Sequence, residues 1–389
     1  MLTKLGVNRN LAVICITIFM NLFARGAWAS LLPLYLRSLG ANDWQVGISF
    51  TLTGLAQTLF GFFGGILADR YGRRTISAST TIAMGVLYLM TWFVHEWYAI
   101  VAVLVLINVL GALQWPPLNA LIAESSGEGN AARSYSFSEA AVLLGITLGP
   151  LFGALVIGII DIPGLMLLHG VTLLATGLMR WFGLEDHHTH HARRGLPDLR
   201  MVFDKNLTWF IIAGACISIS FSIPFGPFFS LLANDVWKNS AAEINVLFSI
   251  GNVAALGGIF IGRLGGRMDT LKVMMLCAGV FGITTILWGI SPTWQMGLLP
   301  LIIAFAFSEG AYIAEQTVQA HITKPETRSS IIGIIITATG IFGGLGPTLG
   351  AWLVGIGGNS LPFIMSGIIA LLTIGAATQI KNPVNQPQP

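Results

Sequence analysis

Residues 64–74 read GGILADRYGRR, and residues 257–267 repeat this stretch in altered form as GGIFIGRLGGR, 193 positions later. A second pair, LGPLFGALVIG at 148–158 and LGPTLGAWLVG at 345–355, recurs at a shift of 197 positions. Separate landmarks at a nearly constant spacing indicate an internal duplication, which changes the interpretation of every single motif. The sequence therefore predicts two related halves.

The composition is that of a membrane protein. Hydrophobic residues make up 54% of the 389 residues and charged residues only 10%, and the mean hydropathy is +0.77. Soluble domains are typically about 25% charged. Apolar runs of the roughly 20 residues that cross a bilayer recur from end to end, and runs this continuous favour helices over barrel strands. We predict an all-α membrane protein with twelve transmembrane helices in two pseudo-symmetric six-helix halves. The predicted spans are 10–37, 45–67, 75–94, 97–123, 135–159, 163–183, 207–233, 242–262, 271–290, 294–321, 329–356 and 360–380.

These spans predict the domain organisation and the orientation. The N-terminal half covers 1–184, a cytoplasmic central loop 185–205, and the C-terminal half 206–389. An even number of spans puts both termini on one side, and all but three of the 20 Lys and Arg residues are assigned to that side. The positive-inside rule makes this side cytoplasmic. We expect an integral protein of a prokaryotic inner membrane.

The remaining polar features give no reason to expect a metal, a cofactor or a nucleic acid. The four histidines of the central loop, at 187, 188, 190 and 191, lack an acidic or cysteine partner at metal-site spacing. We interpret them as part of a solvated linker. The cysteines, at 15, 216 and 277, all lie inside predicted spans, and the net charge of +3 is loop charge.

The stretch GILADRYGRR (65–74) closely resembles the cytoplasmic loop signature of the major facilitator superfamily, G-x-L-a-D-R-x-G-R-[RK]. The resemblance extends over the chain, because helix number, half repeat, orientation and central loop also agree. It implies a conformational latch formed by Gly65, Asp69, Arg70, Gly72, Arg73 and Arg74. The second copy carries Gly262 where the first has Asp69, so we expect the main latch in the first half.

The stretch GITLGPLFGA (145–154) resembles the signature that antiporters of this superfamily carry in the fifth helix. Small residues let helices pack closely in lipid, and proline weakens the backbone ladder. We expect hinge or packing roles for Gly145, Gly149, Pro150 and Gly153, and for their repeats Gly346, Pro347 and Gly350 in the eleventh span. The repeat favours a general packing use, while the signature itself still favours an antiporter. The arginine that drug antiporters carry in the fourth helix is also absent, with Ile107 and Asn108 in its place.

The resemblance implies that the first, fourth, seventh and tenth spans line a substrate cavity. Residues spaced four and three apart share one helix face, and each of these spans carries a face of mixed polar and aromatic residues. Lipid-facing surfaces would not hold Asn, Arg and Glu. The candidate cavity residues are Asn21, Arg25, Trp28, Tyr35, Asn108, Trp115, Asn119, Ser218, Ser222, Phe225, Glu309, Tyr312 and Gln316.

Arg25 and Glu309 are the charges nearest the middle of their predicted spans. Either charge costs about 2.5–3.5 kcal/mol in hydrocarbon even on insertion scales, so each needs a partner. We expect Arg25 to meet an anionic substrate group or Glu309, and we assign proton coupling first to Glu309. Glu139 and Glu315 are the next candidates, although we interpret them mainly as gate charges beside Arg133 and Arg328.

These features predict a monomeric secondary transporter in the lipid bilayer. The favoured hypothesis is proton-coupled efflux of a small amphipathic compound that can be anionic. Alternatives are a proton-coupled uptake symporter of a polar metabolite, a lipid-linked glycan flippase, suggested by FARG at 23–26, and a non-transporting receptor. An enzyme is disfavoured because no nucleophile, base or metal cluster falls in the spans. The absence of a G-x-x-x-x-G-K-[ST] loop argues against direct coupling to ATP.

Overall fold

The computed structural model describes residues 8–125, 131–185, 205–262, 268–323 and 328–380, with 131–133 and 328–330 described by their backbone alone. Within these ranges the chain forms α-helices and no strand. The helices are α1 (Arg9–Ala29), α2 (Leu32–Ser38), α3 (Asp43–Tyr71), α4 (Arg73–Met90), α5 (Trp97–Glu124), α6 (Ala131–Val156), α7 (Ile162–Gly183), α8 (Lys205–Ser222), α9 (Phe229–Asp235), α10 (Ala241–Gly262), α11 (Thr270–Gly289), α12 (Trp294–Ile322), α13 (Arg328–Gly357) and α14 (Leu361–Ala377).

The predicted fold class is confirmed. Eleven helical segments of the described chain are long and apolar enough to cross a bilayer, the segment Lys205–Asp235 counting as one. The twelfth apolar helix, α14, has 17 residues. At 1.5 Å per residue it is about 26 Å long, close to the roughly 30 Å of the hydrocarbon layer.

Two predicted spans are not continuous helices. The predicted span 10–37 consists of two helices, since α1 ends at Ala29 and α2 starts at Leu32 with Pro33 in its first turn. Proline has no N–H to donate and is tolerated in a first turn. The seventh span breaks at Pro224–Phe228, a π-helical turn in which Gly226 has the non-helical ψ of −139°.

The chain forms two compact units. The N-terminal unit comprises Met1–Ala41, Leu52–Arg193 and Ser240–Ser249, and the C-terminal unit comprises Asn42–Thr51, Arg194–Asn239 and Ile250–Pro389. Each unit therefore includes the first turns of the second span of the other half.

The duplication is visible in helix packing within each unit. In the N-terminal unit α1 packs on α6 and α4 on α7, and in the C-terminal unit α8 packs on α13 and α11 on α14. A Cβ on Gly85 would lie 3.0 Å from the carbonyl oxygen of Gly170, and a Cβ on Gly282 would lie 2.7 Å from that of Gly367. Both glycines of the second pair follow those of the first by 197 positions. The same close contact between two helices therefore occurs in both units.

The exchanged first turns are held by hydrogen bonds inside the unit that contains them. In the N-terminal unit, Asn245 Nδ2 donates to the Ala27 carbonyl at 3.0 Å and Ser249 Oγ donates to the Thr147 carbonyl at 3.0 Å. In the C-terminal unit, Thr348 Oγ1 lies 2.8 Å from Thr51 Oγ1. The first turns of α3 and α10 are therefore anchored by specific polar contacts as well as by apolar packing.

Candidate functional site

A buried histidine organises the polar face of α1. Trp28 Nε1 donates to His169 Nδ1 at 3.3 Å, and His169 Nε2 lies 2.9 Å from Asn21 Oδ1. An indole N–H can only donate, so Nδ1 must present its lone pair. The proton of the neutral imidazole is then on Nε2 and is donated to Asn21. The Tyr88 ring lies over the imidazole with centroids 4.5 Å apart.

Arg25 is exposed on the same helix, one turn from Trp28. Its charge lies close enough to act electrostatically on Tyr88 and His169. Among the residues that the structure describes, no carboxylate pairs with Arg25 and no acceptor bonds to it. The N-terminal unit thus presents a cation beside a group of aromatic rings.

The other predicted residues of the N-terminal unit have separate environments. Tyr35 is buried on α2 and does not continue the face of α1. Asn108 donates to the Leu104 carbonyl of its own helix at 2.8 Å. Trp115 is half-buried, and Asn119 is exposed while its carbonyl accepts a bond from Tyr135. Of the three predicted cavity residues of α5, only Asn108 is committed to a backbone hydrogen bond of its own helix.

In the C-terminal unit the predicted face of the seventh span is largely aromatic, and the Ser222 hydroxyl on it already donates a hydrogen bond. Phe225 is half-buried and packs edge-on against Phe305, with centroids 4.6 Å apart. Ser222 Oγ donates to the Ile219 carbonyl at 3.0 Å, and Ser218 is half-buried. These side chains offer apolar surface more than free polar groups.

The acids of α12 point to different neighbours. A Cβ on Gly258 would lie 2.5 Å from Glu309 Cβ, so Glu309 is on the side that packs against α10. A Cβ on Gly214 would lie 2.8 Å from Glu315 Oε1, which puts the Glu315 carboxyl group against α8. Tyr312 and Gln316 are exposed, the former at 51%. Glu139 is exposed on α6. The side chains of Arg133 and Arg328 lie outside the described residues.

The predicted glycines of α6 line its contact with α1. A Cβ on Gly149 would lie 2.5 Å from the Phe23 carbonyl oxygen, and one on Gly145 would lie 2.8 Å from Leu22 Cβ. Gly153 faces the Ala27 carbonyl oxygen. Each position leaves no room for a side chain, so the two helix backbones meet along this line.

Their repeats in α13 line the contact with the seventh span. Gly346 faces Ser222, and Gly350 faces the ring of Phe228. Pro347 lies between them and its carbonyl oxygen would be 2.6 Å from a Cβ on Gly47. The two glycine lines have the same structural position in the two units.

The signature loop is a one-residue turn. Gly72 joins α3 to α4 with φ +91°, a region that favours glycine. Arg73, the first residue of α4, forms an ion pair with Glu124 at the end of α5, with side chains 13% and 27% exposed. Arg70 lies over the Tyr71 ring at 5.2 Å, Asp69 is exposed, and a Cβ on Gly65 would meet only open space.

Arg180 is buried inside the N-terminal unit. The positive-inside pattern assigns it to the cytoplasmic loop charges, but it lies inside α7 and is only 1% exposed. The central loop, including its four histidines, lies outside the described residues except at its ends. Within the described chain, no three His, Cys, Asp or Glu side chains cluster as a metal site would require.

The comparison with known proteins agrees with this architecture. A family model for the Major Facilitator Superfamily matches residues 14–236 and, a second time, 210–388. The chain belongs to the major facilitator superfamily. It is therefore an integral membrane protein of a family of transporters, as the signature loop predicted.

Several relatives are similar over nearly their whole length. The multidrug resistance protein MdtG of Escherichia fergusonii is 25% identical, with 94% of this chain and 93% of the relative covered. MdtG of Yersinia enterocolitica is also 25% identical, with 93% and 91% covered.

Solved structures of the superfamily share the fold. A bacterial homolog of the human lysosomal transporter Spinster, inward-facing and unoccupied, has a TM-score of 0.76 at 15% identity, covering 95% of this chain and 97% of that one. The human organic anion transporter MFSD10 (TETRAN) has a TM-score of 0.65 at 16% identity, covering 95% and 99%.

Proposed function

We propose that this transporter exports small amphipathic compounds, including anionic ones, across a bacterial inner membrane in exchange for protons. The observation that carries the proposal is Arg25, an exposed cation in a membrane helix without a described carboxylate partner in its own unit. The names of the MdtG relatives, which are multidrug resistance proteins, support export of compounds that are foreign to the cell.

The chemistry around Arg25 favours a ligand with an anionic group and an apolar body. A guanidinium stays charged at every accessible pH and presents a planar fork of donors that matches a carboxylate or phosphate. The rings of Trp28, Tyr88 and His169 beside Arg25 are themselves buried and offer no surface to a ligand. Trp115, half-buried on α5, is the predicted cavity residue of this unit that offers an aromatic surface. A cation and an aromatic surface suit an amphipathic anion better than a sugar or an inorganic ion.

Glu315 is the proton carrier that the packing supports best. Its carboxyl group lies against α8 and beside Thr339 of α13, and no described residue forms a hydrogen bond with it. Glu315 is half-buried, and a carboxylate withdrawn from water needs a hydrogen-bond donor or a cation beside it. Glu309 lies on the α10 side of the same helix, and Glu139 is exposed. We therefore place Glu315 ahead of both in the proposed exchange.

Matched ligands test the substrate class. Ligand binding raises apparent stability by RT ln(1 + [L]/Kd), so thermal unfolding is measured with 1-naphthaleneacetic acid, with 1-naphthaleneacetamide and with 1-naphthylethylamine. We expect the acid to stabilise the wild type most, Arg25→Gln to lose that preference, and Arg25→Lys to keep part of it. Arg37→Gln, on α2, is the control and should retain the preference.

Two results would contradict the proposed role of Arg25. One is equal stabilisation of the wild type by the acid and the amide. The other is an unchanged preference for the acid in Arg25→Gln. If the amine stabilises most, the substrate is a cationic compound, and if none of the three stabilises, a compact amphipathic aromatic is not the substrate class.

A further inference from the structure

Arg180 is held at the centre of a buried polar network. Its Nε donates to Thr17 Oγ1 at 3.0 Å, and its Nη1 donates to Gln114 Oε1 at 2.7 Å and Thr81 Oγ1 at 2.8 Å. The described acceptors are neutral, and they come from α1, α4 and α5. Burial of a guanidinium is costly unless hydrogen bonds replace its water. The network therefore ties α7 to three other helices of the N-terminal unit.

In the C-terminal unit, the positions equivalent to those of the Arg180 network carry no charged residue. The shift of 197 that relates the close glycine pairs places five small or apolar residues where the N-terminal unit has its network. These counterparts of Thr17, Ser77, Thr81, Gln114 and Arg180 are Gly214, Met274, Ala278, Ala311 and Ala377, and all five are buried. A half of this fold thus forms without the arginine, and the cost of burying it needs another explanation.

A second difference between the units lies next to the network. Pro116 and Pro117 are inside α5, and their counterparts in α12 are Ile313 and Ala314. Each proline removes a backbone donor from the helix, which leaves the carbonyls of Ala112 and Leu113 without their usual partners. The proline pair directly follows Gln114 and Trp115. At this position the proline pair and the arginine network occur together in the N-terminal unit, and neither occurs at the equivalent positions of the C-terminal unit, where the proline inside α12 is Pro300.

We infer that Arg180 is a positioning residue for α5. By holding Gln114, the network fixes the helix just before its proline pair, and so fixes the direction in which Trp115 and Asn119 project. The link to substrate rests on the proposed function, in which Trp115 and Asn119 belong to the substrate cavity that the family resemblance implies. The geometric claim is independent of any ligand.

Cysteine reactivity tests the claim without a substrate. In a background with Cys15, Cys216 and Cys277 replaced by Ala, single cysteines are placed by Asn119→Cys or by Gln316→Cys. Positions 119 and 316 correspond at the same shift of 197, and both are exposed. We expect Arg180→Met to change the rate of modification by a charged methanethiosulfonate reagent at 119 about threefold or more, and at 316 by less than about 1.5-fold.

The proline pair supplies the decisive comparison. In a Pro116→Ala, Pro117→Ala background the helix has its donors back, so Arg180→Met should change the rate at 119 by less than about 1.5-fold. An unchanged rate at 119 in the proline-containing protein, an equal change at 316, or the same change after proline removal would overturn the inference. If Arg180→Met does not fold, Gln114→Met breaks the contact from the other side while Thr17 and Thr81 still bind Arg180.

Discussion

At the scale of single residues, His169 decides the chemistry beside Arg25. Its two ring nitrogens have opposite roles, one accepting from Trp28 and the other donating to Asn21. An amide side chain can reproduce one of these contacts but not both. Replacing His169 with Asn or with Gln therefore removes one of the two hydrogen bonds at a time.

We predict that His169→Asn keeps the bond from Trp28, that His169→Gln keeps the bond to Asn21, and that His169→Leu loses both. Each lost partner leaves a buried polar group unsatisfied, which costs about 1–3 kcal/mol. Denaturant unfolding in a mild detergent should rank Leu as the least stable variant, while the exposed His95→Leu serves as control. Equal stability of all three variants would show that these bonds do not stabilise the unit.

The residues of this site differ in how far the sequence predicts them. Asn21, Arg25 and Trp28 share one face of one helix, so their spacing alone groups them. His169, Tyr88 and Arg180 come from helices that the family resemblance does not place at the cavity. Their hydrogen bonds join distant parts of the chain and leave no local pattern. The sequence alone assigns Arg180 to a loop, because a charge near the end of an apolar run usually lies there.

At the scale of helices, the line of glycines between α1 and α6 allows their backbones to meet. We predict that Gly149→Ala lowers the free energy of unfolding by about 1–3 kcal/mol, because overpacking forces the helices apart. Gly61→Ala is the matched control, since its Cβ would enter open space in α3 and should be neutral or stabilising by up to ~1 kcal/mol. A Gly149→Ala variant as stable as Gly61→Ala would contradict the close packing.

The signature loop belongs to the same scale. We predict that Arg73→Gln and Glu124→Gln each lower stability by about 1–3 kcal/mol, between the values for exposed and buried ion pairs. The double variant should lose less than the sum, because each single change already breaks the pair. Arg70→Gln, in the same signature, should have a smaller effect. Strictly additive losses would mean that the ion pair does not couple the ends of α4 and α5.

The sequence predicts the helices better than their interruptions. Apolar runs and turn residues locate all twelve predicted spans, because bilayer thickness fixes their length. Prolines mark both interruptions, with Pro33 in the first turn of α2 and Pro224 at the start of the π-helical turn. Pro116 and Pro117 occur in a continuous α5, so proline content alone does not distinguish a broken span from an intact one.

At the scale of the whole molecule, the duplicated halves have diverged in chemistry. The N-terminal unit carries Arg25, His169 and the Arg180 network, while the C-terminal unit carries an aromatic cluster around Phe225 and the acids of α12. In the proposed mechanism, one unit supplies the charge that selects the ligand and the other supplies the carboxyl group that carries the proton. The duplication accounts for the fold, and in the proposed mechanism the differences between the halves account for the exchange.

Uphill transport in proteoliposomes tests this mechanism most directly. The compound that best stabilises the purified wild type is followed under an imposed pH gradient and, separately, in counterflow without one. We predict that the wild type accumulates the compound against its gradient, that Glu309→Gln also does so, and that Glu315→Gln supports counterflow but no accumulation. Accumulation driven by the pH gradient in Glu315→Gln would contradict the account, and its loss in Glu309→Gln alone would assign the proton to Glu309.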